Sequence, residues 1–224
     1  MEEGLKTYLE SFLTPERYSR LKNVLDQRTN HFTVVLEDLY NPQNAHAILR
    51  TMDSLGIADL HLIENEHKFN YEAVRRVTKG SEKWVNIYRH QENNSNPVHY
   101  LDELKKQGYF ICATTLKEKS ITCDQIDFTK KTAFVFGNEH EGITDEVVKR
   151  ADQMVYIPMY GFSESYNISV SVALILNQVI QELKQSEINW ELSEQERILL
   201  YEQWLKSAVN HSEALIKKYH QEKE

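Results

Sequence analysis

Apolar residues come in two rhythms along this chain. Short runs such as FTVVL, FICAT and TAFVF are continuous and rich in β-branched or aromatic residues, whereas the stretches between them repeat apolar residues three or four apart. The first rhythm predicts strands at 32–36, 60–64, 85–88, 109–114, 132–136 and 154–158; the second predicts helices at 43–55, 71–82, 98–106, 145–150 and 166–183. Strand and helix taking turns imply an α/β fold with a parallel or mostly parallel sheet covered on both faces. Ligands of such sheets gather at the carboxyl ends of strands, so the loops after strands carry the interest.

The flanks follow a different pattern. Residues 1–28 hold two short helical patterns separated at Thr14-Pro15, a capping residue followed by a proline suited to a first helical turn. Residues 186–224 are helix-like again, with Ser193 and Glu196 spaced as a capping box ahead of one amphipathic run to Tyr219. The expected organisation is an α/β domain over 29–185 between two helical extensions.

Composition narrows the function. The 224 residues carry 34 acidic and 26 basic side chains, a formal charge of −8, so a surface that attracts nucleic acid everywhere is excluded and any RNA must meet a local patch. Cys112 and Cys123 have neither metal-ligand nor redox spacing, and no signal-peptide pattern opens the chain, which predicts reduced thiols in the cytoplasm. The longest apolar run, 172–176, is far below the roughly 20 residues that span a bilayer. Neither a metal site nor a membrane partner is expected.

Three loops carry candidate chemistry. The first, NPQNAHAILR (41–50), presents Asn44 and Arg50 after a strand, but a spacing of six does not bring them to one helical face. The second, FGNEHEGIT (136–144), has the glycine spacing of a phosphate loop, yet Ile143 stands where that loop needs lysine and Glu139 and Glu141 would repel phosphate. An acidic loop shaped by glycines suits a neutral or cationic ligand, and a solvated tight turn is the alternative. In the third, IPMYGFSESYNISVSVALIL (157–176), a polar cluster is pressed between two apolar segments, and capping by Ser165 or Asn167 explains only part of it.

In this order and spacing the three loops resemble the three motifs of the SpoU family of RNA ribose 2′-O-methyltransferases, over about residues 29–183. The TPERYSRLKNVL start and the helical tail make the chain most similar to the TrmH branch, the tRNA (guanosine-2′-O)-methyltransferases. The resemblance implies a deep trefoil knot in the carboxyl-terminal part of the sheet, S-adenosylmethionine as methyl donor, and a homodimer packed through the knot. By motif position it assigns catalysis to Asn44, Arg50, Glu139, Ser165 and Asn167. It assigns cofactor contacts to Thr114, Gly137, Glu139, Ile157, Met159, Gly161 and Tyr166.

The implied substrate is tRNA, at the D-loop guanosine in position eighteen. Ribosomal RNA or another tRNA site is the alternative within the class, and a non-catalytic RNA-binding or assembly protein the alternative outside it. A guanidinium with a pKa above about 12 makes a poor resting base, so Arg50 is expected to stabilise the developing alkoxide. Basic candidates for RNA contact are Arg17, Arg20, Lys22 and Arg28, then Arg75, Arg76, Lys79 and Lys83. The tail from 181 to 224 has nine acidic and six basic residues, a net −3, which argues against a tail that grips RNA.

Overall fold

The computed structural model describes residues 1–65, 80–91, 97–116 and 120–223. They form two compact units, one of Thr29–Trp190 and one that combines Met1–Arg28 with Glu191–Glu224.

The larger unit is built on seven parallel strands: β1 (Phe32–Glu37), β2 (Asp59–Glu64), β3 (Asn86–Gln91), β4 (Phe110–Thr114), β5 (Ile121–Thr122), β6 (Thr132–Phe136) and β7 (Gln153–Tyr156). Their order across the sheet is β3-β2-β1-β6-β4-β7-β5. From β1 the chain moves outward to β2 and β3, and then fills the other side. Open α/β sheets hold their ligands at the carboxyl ends of the strands near such a reversal.

Strand residues alternate between two cores as the period of two demands. On one side Phe32, Val34, Leu36, Leu60, Leu62, Phe134, Phe136 and Val155 pack with helices α3 (Pro42–Leu55) and α6 (Ile168–Gln185). On the other, Val35, Ile63, Ile111, Ala113, Ala133 and Val135 pack with α4 (Tyr100–Lys106) and α5 (Asp145–Arg150). Helix α6 alone buries Ile168, Val172, Ile175, Leu176, Val179, Ile180 and Leu183, each worth about 1.5–3 kcal/mol when removed from water.

Local chemistry sets the helix ends. Asn41 caps α3, its Oδ1 accepting from Gln43 N at 2.9 Å; Pro42 occupies the first turn, and Gly56 closes the helix in the left-handed region at φ 79°. Asn167 caps α6 by accepting from Ser169 N at 2.9 Å, so the helix starts two residues later than its apolar pattern predicts and leaves Tyr166 in the preceding loop.

Other boundaries also shift. Residues 97–99 form a 3-10 turn ahead of α4, and β3 runs on to Gln91 because it pairs with the whole of β2. The two-residue β5 exists through its pairing with Val155 and Tyr156 and is too short to show any periodicity. Of the helix expected at 71–82, residues 71–79 lie outside the described residues, and Ser81–Lys83 is a 3-10 turn.

In the smaller unit, α1 (Glu3–Glu10) and α2 (Pro15–Leu25) pack with α7 (Glu194–Ala208) and α8 (Ser212–Gln221). Thr14 caps α2, and the Ser193–Glu196 capping box closes on itself at the start of α7. The single run expected to Tyr219 is broken, since His211 takes a left-handed conformation at φ 56° and ends one helix before the next begins. Among the described residues no helix is long and apolar enough to cross a membrane.

Candidate functional site

A cavity of about 460 Å³ opens at the carboxyl ends of β4, β6 and β7, within the range of small-molecule sites. Three segments wall it: Thr114, Thr115 and Leu116 at the end of β4; 136–143 after β6; and, from the end of β7 onward, 155–157, Met159 and 164–168, with Ser171 and Ile175 of α6 behind. Of the residues expected to hold a cofactor, Thr114, Gly137, Glu139, Ile157, Met159 and Tyr166 line it. Gly161 does not: it lies further out in an exposed part of the loop, with open space around its Cα.

The loop after β6 is closed by its own backbone. Asn138 and Gly142 exchange N–H···O bonds of 3.2 and 3.1 Å, while Asn138 Oδ1 accepts from His140 N and Glu141 N at 2.9 and 2.7 Å. A side chain at 137 would run into the carbonyl of Gly142 and the amide of Ile143, so only glycine allows this approach. Gly142 itself sits at φ 72°. The turn aims Glu139 at α3.

There α3, the loop after β6 and the start of α6 meet in one hydrogen-bonded chain. Ser169 donates to Asn167 Oδ1, Asn167 Nδ2 donates to Asn44 Oδ1 at 3.1 Å, and Asn44 Nδ2 donates to Glu139 Oε1. Glu139 Oε2 is buried and, among the described residues, has no hydrogen-bond partner. A buried carboxylate oxygen left over on a cavity wall calls for a donor from a ligand, preferably a cationic one. Ser165 lines the same cavity beside this node.

Arg50 stands apart. Asn44 is buried against Glu139, whereas six residues further along α3 the Arg50 side chain is exposed in a second hollow of about 720 Å³, with His46, Thr51 and Ser54 of α3 and Leu174 and Asn177 of α6. The spacing of six thus separates the two side chains. Within one chain Arg50 does not line the cavity that Glu139 and Asn167 line.

One contributor carries almost no signal in the sequence. Glu37, the last residue of β1, is buried; its Oε2 accepts from Thr144 N at 2.9 Å and its Oε1 from Thr144 Oγ1 at 2.6 Å, which pins the exit of the glycine-closed loop to β1. Burial pushes the Glu37 carboxyl above the usual range, against the opposing effect of the Thr144 bonds. The only signal was an acidic residue ending an otherwise apolar strand.

The basic candidates divide. Arg17 and Arg20 are exposed on α2, and Lys22 lays its Nζ 3.8 Å from the centre of the Tyr201 ring. Arg28 is a correction: it is only 1% exposed, with its guanidinium 5.0 Å from the Trp204 ring centre, so it serves the interior and cannot meet a phosphate. Lys83 is exposed; Arg75, Arg76 and Lys79 lie outside the described residues.

The profile described as the SpoU rRNA Methylase family matches residues 31–177. A tRNA (guanosine(18)-2′-O)-methyltransferase of Borreliella burgdorferi is 42% identical over 191 residues, 84% of this chain and 84% of its own. The crystal structure of the Aquifex aeolicus TrmH/SpoU tRNA modifying enzyme superposes with a TM-score of 0.73 at 34% identity, covering 92% of this chain and 98% of that one. An AdoMet-bound rRNA methyltransferase of Sinorhizobium meliloti follows at 25% identity and a TM-score of 0.61, covering 73% of this chain and 60% of that one. With the fold, the three loops and these relatives in agreement, the chain belongs to the SpoU methylase family.

Proposed function

We propose that this protein methylates a ribose 2′-hydroxyl of tRNA, at the D-loop guanosine in position 18 that the names of its relatives specify. The observation that carries the reading is the Asn44–Glu139–Asn167 chain at a cavity whose wall holds an unmatched carboxylate oxygen. S-adenosylmethionine fits that cavity in volume and charge, and an AdoMet-bound relative shares the fold. When bound, it supplies an electrophilic methyl group.

Thr114, Gly137, Glu139, Ile157, Met159 and Tyr166 are the residues proposed to hold the cofactor, with Glu139 Oε2 taking a cationic donor. Closed backbone loops are suited to the adenine, because their peptide groups read a base edge without needing a particular side chain. In this reading the carboxyl-terminal strands carry the trefoil knot, 29–185 is the catalytic domain, the flank 1–28 helps to place the RNA, and 186–224 is a helical extension. A tRNA substrate puts the protein in the cytoplasm.

The hydroxyl must be aligned and lose its proton as the methyl moves, since an unactivated ribose hydroxyl is a weak nucleophile. Asn44 and Asn167, each already fixed by the other, orient the ribose; Ser165 holds the loop between cavity and helix. The Arg50 guanidinium stabilises the developing alkoxide, with an RNA phosphate as proton relay. That role needs Arg50 brought to a cavity it does not line.

A homodimer meets the need. Helix α6 turns Ile168, Ser171 and Ile175 to the cavity and leaves Val170 and Leu174 exposed on another face, beside the Arg50 hollow. Two copies packed through that face would cover the exposed apolar side chains and set Arg50 of each chain against the cavity of its partner. Arg17, Arg20 and Lys83 are the exposed cations offered to RNA.

The test is to incubate the protein with labelled S-adenosylmethionine and total tRNA or rRNA and map the blocked hydroxyl. Label on the D-loop guanosine is expected. Label confined to rRNA would move the substrate, and no label in any RNA would leave a binding protein of the same fold.

A further inference from the structure

Two aromatic rings at the mouth of the site have no part in the chemistry above. Tyr40 is 65% exposed and stands immediately before Asn41, the cap of the helix that carries Asn44. His140 follows Glu139 in the glycine-closed loop and lines the cavity, whereas Tyr40 adjoins it through the His140 ring. Their ring centres are 6.3 Å apart and their planes cross at 69°, an edge-to-face pair that bridges the two segments. Asn44 and Glu139, the polar groups joined by a hydrogen bond, are thus four and one residues from an aromatic side chain at the rim.

A large aromatic surface facing water costs free energy unless something covers it, and this one is held on a capped helix and a closed turn. The backbone at both positions is fixed: Asn41 caps α3, and the His140 amide donates to Asn138 Oδ1 at 2.9 Å. Rigid rings hold a planar ligand at low entropic cost. A nucleotide whose ribose reaches the Asn44–Asn167 node carries its base one glycosidic bond away, and the nearest exposed aromatic side chains along the two bridged segments are Tyr40 and His140.

We propose that Tyr40 and His140 form the seat of the target nucleobase. The base stacks on the exposed Tyr40 ring, while the His140 ring, steeply inclined to it, closes one side and turns a ring nitrogen toward the polar edge of the base. The pair is a positioning device: it fixes the sugar by fixing the base, and it selects for a large planar base over a small one. This inference rests on the reading of the protein as a tRNA ribose methyltransferase, and it adds the part of the substrate other than the ribose.

The test uses full-length protein and tRNA transcripts carrying 2-aminopurine at the methylated position. Binding to the wild-type protein is expected to quench the fluorescence by stacking. Tyr40→Leu should lose the quench and raise the KM for unmodified tRNA about ten-fold, the scale of one base–aromatic stack, with S-adenosylmethionine affinity unchanged. Tyr40→Phe keeps the ring and should restore both. With an abasic nucleotide at the target, wild type and Tyr40→Leu should become equal.

An unaltered quench and KM in Tyr40→Leu, on tRNA that the wild type methylates, would overturn the inference and leave the proposed function standing. So would loss of the dimer in Tyr40→Leu by sedimentation, since the ring would then serve an interface. If the wild type methylates no tRNA, the function itself is at fault.

Discussion

Asn167 donates from Nδ2 to Oδ1 of Asn44 at 3.1 Å, joining two side chains separated by 123 residues of chain. The same Asn44 donates onward from Nδ2 to Glu139, so its amide is used at both ends. Asn167 is equally committed, since its Oδ1 caps α6. Each asparagine therefore does structural and site work with one group.

Substitution at Asn44 separates those uses. Asn44→Asp keeps an acceptor for Asn167 but turns a donor into a second carboxylate facing Glu139, and like charges so close are repulsive. Asn44→Ala removes both bonds without adding charge. Methyl transfer by Asn44→Asp is expected to fall by at least as much as by Asn44→Ala, on the order of 10²–10³ in kcat/KM. Single-turnover assays with cofactor affinity measured alongside decide it, and a fully active Asn44→Asp would exclude the node from the chemistry.

Arg50 allows a test that depends on the assembly. If each site takes Arg50 from the partner, mixing Arg50→Ala chains with Asn167→Ala chains gives heterodimers in which one site is whole: cavity from the first chain, guanidinium from the second. Two inactive preparations should then recover up to about half of wild-type activity per heterodimer after co-refolding. If Arg50 served its own chain, every site in the mixture would carry a defect and no activity would return. Arg50→Lys should remain poorly active in either case, because an ammonium keeps the charge and lacks the planar fork.

Six of the seven strands, the order of the chemistry and the loop glycines were legible because each depends on local rules. FTVVLE and TAFVF show continuous burial, and Gly137 and Gly142 mark a turn whose backbone tolerates no side chain at 137. What was not legible depends on packing between distant segments. The burial of Arg28 follows from Trp204, 176 residues later, and could not be derived from the spacing of charges, whereas the separation of Arg50 from Asn44 was already implied by their spacing of six. Glu37 shows the same limit, since its partner Thr144 lies 107 residues away.

The cations of the smaller unit should respond differently to substitution. Arg28→Ala leaves a cavity and removes a buried stacked guanidinium, so it should lower stability by about 2–4 kcal/mol. Urea unfolding reads this directly. Arg17→Ala and Arg20→Ala should leave stability within about 0.5 kcal/mol of wild type but weaken tRNA binding, each reducing the slope of log Kd against log salt by about one. A salt slope unchanged by both would remove α2 from the RNA contact.

The edge of the sheet carries the pH dependence. His61 on β2 and His90 on β3 face each other with Nδ1 and Nε2 at 3.4 Å, stacked among Tyr88 and Tyr100. Burial pushes His61 down to about 3, with His90 adding to the effect, and burial pushes His90 down to about 4 against the opposing charge of Glu64. In the unfolded chain both titrate near their ordinary value of about 6.5. Above that pH both states are neutral and the contribution is complete. As the pH falls below it, the unfolded chain takes up protons that the folded one refuses, so stability is lost progressively toward the folded values. For His61 the loss between pH 7.5 and 5.5 amounts to about 1.4 kcal/mol. His61→Phe preserves the stacked ring and removes the proton site, so its unfolding midpoint in urea should fall less over that interval than that of the wild type. A wild-type-to-variant difference that is the same at both pH values would mean that His61 is not held neutral by the fold.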